Sequence, residues 1–256
     1  MFASVIIVGI RKTLGKTKTK QSKQNFIADF KEGFQEFSKN KGVVWLVGIT
    51  MIVLFFVGLL QSLFIPMLLS LTSPKTTGIV QSICASGMLI GSLFIGLFGS
   101  KSKHVKVLSI SLFLAGLFFA NIGLSTSIIF ITLVGFMFFA TLPFINTSIE
   151  VLIRRNIDNK KQGRVWAIIS TITYLGSIVA FVVAGFLADN VFNSLLEVNG
   201  KLAGTVGFII GIGEGRGIGL MLIVSGIIIS FISLLIFRNK FIKNLDKNDE
   251  KQIFIQ

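Results

Sequence analysis

Nucleophilic catalysis needs an activated side chain with a base beside it, and this chain offers one histidine and one cysteine in 256 residues. His104 stands in the basic cluster SKSKHVK and reads as a solvated loop residue. Cys84 lies inside an apolar run with no second thiol to pair with. No nucleophile–base pair follows from these, and one cysteine excludes both an internal disulfide framework and a multi-cysteine zinc site. Enzymatic activity, a resident cofactor and a metal centre are therefore not expected. The glycine-rich GIGEGRGIGL starts a Gly-x-Gly-x-x-Gly spacing at Gly211 and Gly213, but the third position is Arg216, so it reads as a turn.

Two other sets of residues carry chemistry of a different kind. Gln61, Gln81, Asn121, Thr141, Asn146, Thr171 and Tyr174 interrupt long apolar runs. Polar groups at such positions either bond helix to helix or face a wet cavity, and as a set they outline a sparsely polar, aromatic-rich pocket for a lipophilic or amphiphilic solute. The second set is Glu150 with Arg154 and Arg155, where one acid precedes two cations at helical spacing. Simple neutralisation and a gating ion pair are both open readings. The runs hold no carboxylate that could relay protons.

The elements that must position these residues follow from hydropathy. Half of the chain (52%) is hydrophobic and only 14% is charged, too little charge to cover a soluble domain of this size. Six stretches, 43–70, 78–100, 105–124, 126–149, 165–188 and 217–237, meet the roughly 20 apolar residues that a crossing helix needs, and none has a charge in its interior. Strand-like alternation is missing, and in lipid the backbone must bond within itself, so these runs are helices. The net charge of +14 is not a nucleic-acid signature, because 22 of the 25 Lys and Arg fall on alternate connections and only Lys75, Lys201 and Arg216 on the others. The positive-inside rule then places both ends of the six-helix unit in the cytoplasm of a multi-pass cell-membrane protein.

The connecting segments add detail. Residues 1–10 are apolar and followed at once by Arg11 and Lys12; they read as the end of a truncated transmembrane helix that arrives from outside, rather than as a signal peptide, whose charge would come first. Residues 11–24 form a basic linker. Phe26, Phe30, Phe34 and Phe37, with Asp29, Glu32 and Glu36 between them, make an amphipathic helix on the inner membrane face or under the bundle. The expected organisation is thus 1–10, truncated span; 11–42, cytoplasmic linker and amphipathic helix; 43–237, six-helix bundle; 238–256, cytoplasmic tail. Pro66 should kink the first complete span near its outer end, Gly87 and Gly91 should allow close helix approach, and the short apolar AGTVGFIIGI should form a re-entrant or interfacial turn.

Three stretches resemble the bacterial drug-efflux branch of the major facilitator superfamily, the branch that includes macrolide exporters. FKEGFQEFSKNKGVVWLV is similar to its central-loop helix and seventh span. LPFINTSIEVLIRRNIDNKKQGRVWAI is similar to its tenth span, inner loop and start of the eleventh, with a Gln-Gly-Arg-Val turn at Gln162–Val165. GFLADNVF with LLEVNGKLAGTVGFIIGIGEGRGIGL is similar to the end of the eleventh span, the outer loop and the entry to the twelfth.

This resemblance implies an all-α membrane protein comprising the C-terminal half of a major facilitator fold. It implies a secondary exporter of lipophilic drugs working by alternating access, without enzymatic chemistry or cofactor. The first, second, fourth and fifth complete spans would line its cavity, which is where Gln61, Gln81, Thr141, Asn146, Thr171 and Tyr174 fall. Cytoplasmic gating would involve Glu150, Arg154 and Arg155 with Gln162, Gly163 and Arg164. GLFGSKSKHVKVL keeps Gly96 and the basic residues of the family's inter-helix signature, with Ser100 where an acid often stands. Expected partners are the bilayer, a small lipophilic substrate, an N-terminal six-helix half or a second copy, and protons as a candidate coupling ion; nucleic acid is not one. A non-transporting membrane scaffold is the alternative reading.

Overall fold

A computed structural model of the chain describes residues 26–98, 103–159, 161–196, 200, 202, 204–213 and 215–253. The expected stump at 1–10 and basic linker at 11–24 lie outside the described residues, as do Lys101 and Ser100 of the inter-helix signature. Among the described residues the regular structure is entirely helical.

Helix α1 spans Phe26–Lys39. It stops where Asn40 N-caps α2, Lys41–Leu71, with the Asn40 side chain accepting from the backbone N–H groups of Gly42 and Val43 at 3.0 and 3.3 Å. Helix α2 continues through Pro66 for 31 residues. Helix α3, Pro74–Phe98, begins on a proline, where the absent N–H costs nothing. Next come α4, His104–Leu124, and α5, Ile128–Arg155. Helix α6, Gln162–Phe186, runs on into a π-helical segment, Leu187–Asn193, and the short α7, Ser194–Leu196. Then follow α8, Val206–Ile210; α9, Arg216–Arg238; and α10, Lys240–Ile253. Six of these elements are long and apolar enough to cross a membrane, and they coincide with the six expected runs.

Helices in lipid have no hydrophobic drive toward one another, so association depends on close backbone packing. Three pairs of spans show it. Helix α4 crosses α9 antiparallel through two seven-residue series, Ser109, Gly116, Gly123 and Gly219, Gly226, Ser233. Gly123 meets Gly219, Gly116 meets Gly226, and the Ser233 hydroxyl donates to the Ser109 carbonyl at 2.8 Å. A seven-residue repeat keeps such a seam facing its partner along the whole crossing. Helix α3 runs parallel to α5, with Gly87 against the Phe136 carbonyl and Gly91 against that of Ala140, the approach expected from the sequence. Helix α2 runs parallel to α6, with Gly176 on Met51, Gly58 on Ala180 and Ser177, and the Ser177 hydroxyl donating to the Leu54 carbonyl at 3.3 Å. Helix α5 joins the first two pairs by packing on α4, where Phe119 and Phe138 meet edge to face with centroids 5.4 Å apart.

Two expectations need correcting, and two further segments gain detail. His104 is not a solvated loop residue: it is buried as the first residue of α4. Gln162–Val165 is not a turn but the first turn of α6, and α5 extends to Arg155, so the connection between them is only 156–161. The tail at 238–256 carries a second amphipathic helix, α10, whose Ile242 and Leu245 are buried against the bundle. Between α7 and α9, Val206–Ile210 folds as one helical turn, and Leu196, Ile210 and Leu220 form a small satellite core. Its glycines do act as a turn: Gly211, Gly213 and Gly215 have φ of 89°, 109° and 76°, a region that L side chains avoid.

Candidate functional site

The polar residues expected to line a cavity fall on α2, α3, α5 and α6, which join through the α2–α6 and α3–α5 seams and weaker contacts of α2 with α3 and α5. Gln61 on α2 and Asn146 on α5 are exposed, and Gln81 on α3 is partly buried. Thr171 and Tyr174 stand one turn apart on α6, both exposed, with Tyr174 at 64%. Ile178 and Phe181 continue the same stripe, so the wall is apolar with isolated polar points. Thr141 differs. It is buried within the bundle and its hydroxyl donates to the Phe138 carbonyl at 2.7 Å, a bond within its own helix. Asn121 likewise donates to the Leu117 carbonyl, one turn back on α4.

The rim at the end of the bundle that carries α1 is built from charges and amides. Glu150 pairs with Arg154 one turn later on α5, both side chains about half exposed. Gln162 reaches back from the start of α6, donating to the carbonyls of Arg154 at 3.0 Å and Ile157 at 3.3 Å and to Asn159 Oδ1 at 2.8 Å. It therefore binds the end of α5 to the start of α6. Arg164 reaches another element and donates to Glu32 of α1 at 2.8 Å. No atom lies within 4 Å of where a side chain on Gly163 would start, so that glycine is not required for space.

Helix α1 thus lies under the bundle on α6. Phe37 is buried, and Gly33 lets the helix settle onto Ile168 and Arg164. Glu36 binds Lys161 at 2.9 Å and Lys39 at 2.8 Å. The Lys161 hydrogen bond, then that of Lys39, holds the Glu36 carboxyl below its ordinary 4.5. Glu36 in turn raises the Lys161 ammonium above its ordinary 10.5.

A depressed acid stabilises docking above its undocked pKa, and that contribution is lost as pH falls through the lower docked value; a raised ammonium stabilises docking below 10.5 and loses it as pH rises through the higher docked value. Docking of α1 is therefore expected to be constant from about pH 5 to about pH 10 and to weaken only outside that window. Glu32→Arg or Arg164→Glu alone should expose α1 to protease, and the double exchange should restore protection. Equal cleavage of single and double variants would contradict the pairing.

Glu32, Glu36 and Lys161 were not picked out from sequence as site residues, although acids spaced four apart facing a basic connection were a usable signal. Asp246 had no such signal. It accepts from the Val105 N–H at 3.0 Å, capping α4 from α10, while Asn156 donates to the Leu245 carbonyl at 3.2 Å. At the opposite end of the bundle, Arg216 is buried at the start of α9 and donates to the Gly123 carbonyl at 3.4 Å, at the negative end of α4.

Two parallel helix pairs and an antiparallel glycine seam thus form a six-helix bundle with a rim of basic residues at one end. The family model of the Major Facilitator Superfamily matches residues 46–251, from the second turn of α2 into α10. The chain belongs to the Major Facilitator Superfamily. Its six spans are therefore those of a multi-pass membrane protein of that superfamily. Among similar proteins, macrolide efflux protein A of Streptococcus pyogenes is 26% identical over 196 residues, covering 75% of this chain and 48% of that protein. Macrolide efflux protein A of Enterococcus faecalis is 28% identical over 180 residues, covering 68% and 55%. The chain spans about half the length of these curated relatives. No solved structure matches it.

Proposed function

We propose that this major facilitator chain forms one wall of a secondary exporter of lipophilic compounds, with macrolides as the first candidates. The observation that carries this reading is the exposed arc of α2, α3, α5 and α6, apolar except for points such as Gln61, Asn146, Thr171 and Tyr174. Such a wall suits a large, weakly polar solute, which is held by area and oriented by a few hydrogen bonds. The similarity to two macrolide efflux proteins supports the substrate class. Transport is proposed to proceed by alternating access between two six-helix bundles, the second supplied by an N-terminal half or by another copy of this chain. Protons are the candidate coupling ion.

In this reading 26–42 hold the inner amphipathic helix, 43–237 the bundle and 238–253 the inner tail. The rim of Glu150, Arg154, Arg155, Gln162, Gly163 and Arg164 is the cytoplasmic gate. The cation distribution supports placing this rim on the cytoplasmic side of the cell membrane. With Cys84 replaced by Ser, cysteines introduced at 103–106 or 154–164 should resist impermeant maleimide applied from outside; labelling there would reverse the orientation.

The functional test is macrolide accumulation in a sensitive strain. Co-expression with the N-terminal half of a macrolide efflux relative should lower accumulation, and Tyr174→Ala should raise it again. Unchanged accumulation with a correctly inserted pair would favour the non-transporting scaffold. One further arrangement has two copies of this chain assembled into twelve spans. A reduction in accumulation by this chain alone, with a dimeric species in mild detergent, would identify it.

A further inference from the structure

Where α2 begins and α9 ends, the structure gathers four exposed cations and three exposed aromatic rings. Helix α9 stops at Arg238, and Asn239 caps α10 by accepting from the Phe241 and Ile242 N–H groups at 2.8 and 3.3 Å. From there α10 runs along the inner end of the bundle, fastened on one side by buried Ile242 and Leu245, with Leu245 against Gly42. Its other side remains open. Phe237 and Phe241 are 47% and 48% exposed, and Lys243 Nζ lies 4.9 Å from the centre of the Phe237 ring. Phe241 and Asn244 share a depression of about 420 Å³ with Lys41 and Gly42 of α2, lined also by Glu36 and Lys39, which bind each other. Trp45, 52% exposed, stands one turn along α2 from Lys41.

The charges on this corner are unbalanced. Among the described residues no carboxylate lies within 4.0 Å of Lys41, Arg238, Lys240 or Lys243, whereas the neighbouring Lys39 and Lys161 both engage Glu36. The three rings belong to the last turn of one span, the first turns of another and the first turn of the helix packed beneath them. They therefore sit at the boundary between hydrocarbon and headgroups, where amphipathic rings are favoured. Cations just beyond that boundary meet lipid phosphates.

We propose that this corner is a binding site for anionic phospholipid, with the headgroup phosphate among Lys41, Arg238, Lys240 and Lys243 and the acyl chains along Trp45, Phe237 and Phe241. The inference uses the inner orientation proposed above only to say which leaflet supplies the lipid.

The full chain has two tryptophans, so Trp166→Phe leaves Trp45 as the sole reporter. In nanodiscs with the same composition on both leaflets, its quenching by brominated phosphatidylglycerol is compared with quenching by brominated phosphatidylcholine. This comparison does not depend on orientation, which cysteine labelling tests separately. The relative association constant of the anionic lipid is expected to be at least about fivefold higher. That preference should shrink as salt rises from about 0.05 to about 0.5 M. It should persist in K41R/K240R/K243R and disappear in K41Q/R238Q/K240Q/K243Q. Equal quenching by the two lipids overturns the proposal and leaves the patch to a soluble acidic partner. A salt-independent preference in the unaltered chain also overturns it, whether or not the glutamine variant folds.

Discussion

Gly226→Leu is expected to leave no folded protein to purify. A Cβ at Gly226 would fall on the Ala120 backbone nitrogen and the Gly116 carbonyl of α4, and backbone cannot swing aside as a flexible side chain does. The α4–α9 crossing is the most extensive in the bundle, and its other glycine contact, Gly123 on Gly219, is equally tight. Overpacking a well-filled core costs about 1–3 kcal/mol, and more where backbones must part. Separating these helices would also break the Ser233–Ser109 hydrogen bond, so a loss above about 3 kcal/mol is expected. Detergent-solubilised variant should elute as aggregate in size exclusion. Gly48→Leu and Gly185→Leu, where no atom lies within 4 Å of the new Cβ, should elute like the unaltered chain. A monodisperse Gly226→Leu protein would show that the seam is not as close as described.

Gly91→Leu is expected to spare the α4–α9 core and disable transport. Helix α3 is the least buried of the six spans, at 22%, and its main attachment is to α5. That attachment passes through Gly87 on the Phe136 carbonyl, Gly91 on the Ala140 carbonyl and Cys84 against Gly135. A leucine side chain at Gly91 would force α3 away from α5 and carry Gln81 out of the proposed wall. Cys84 reports this directly. It is the only cysteine in the chain, is 1% exposed, and lies 3.7 Å from the Thr132 carbonyl within the seam. Burial shields it from reagents, as for any structural thiol in apolar surroundings. In the unaltered chain Cys84 should resist a membrane-permeant maleimide, whereas in Gly91→Leu it should be modified at least about tenfold faster, with efflux falling by a similar factor. Slow labelling with normal efflux would mean that α3 tolerates the bulk and that this seam does not set the geometry of the wall.

Both predictions depend on small residues whose meaning is only partly visible in one dimension. The pair Gly87 and Gly91 was legible as a close-approach signal, because two glycines one turn apart leave a groove on a helix face. The seven-residue series of α4 and α9 were equally present in the letters, yet each is unremarkable until the partner helix is known. The inner rim shows the same division. Acids on α1 and a basic α5–α6 connection were a usable signal that the sequence reading left unused, and the assignment of Glu32 to Arg164 and Glu36 to Lys161 needed the helix to be seated on Ile168. Asp246 capping α4 had no trace in the sequence, since it pairs groups 141 residues apart. The burial of His104 follows from the same docking of α10 beneath the bundle, because a basic neighbourhood in sequence says nothing about what covers it in space.

The sequence by itself determined the class of molecule: six apolar runs of crossing length, free of interior charge, must be helices in a bilayer, because an unpaired backbone or charge there is too costly. The alternation of cations determined the expected orientation, and the quoted stretches carried the family resemblance. Only the tertiary structure decided which helices touch, that Thr141 points inward while Thr171 and Tyr174 stay exposed, and that both flanking amphipathic helices brace one end of the bundle. Hydropathy depends on each residue's own transfer into lipid, so it can be read locally. Helix pairing depends on which backbones can approach, and that is a property of two segments at once.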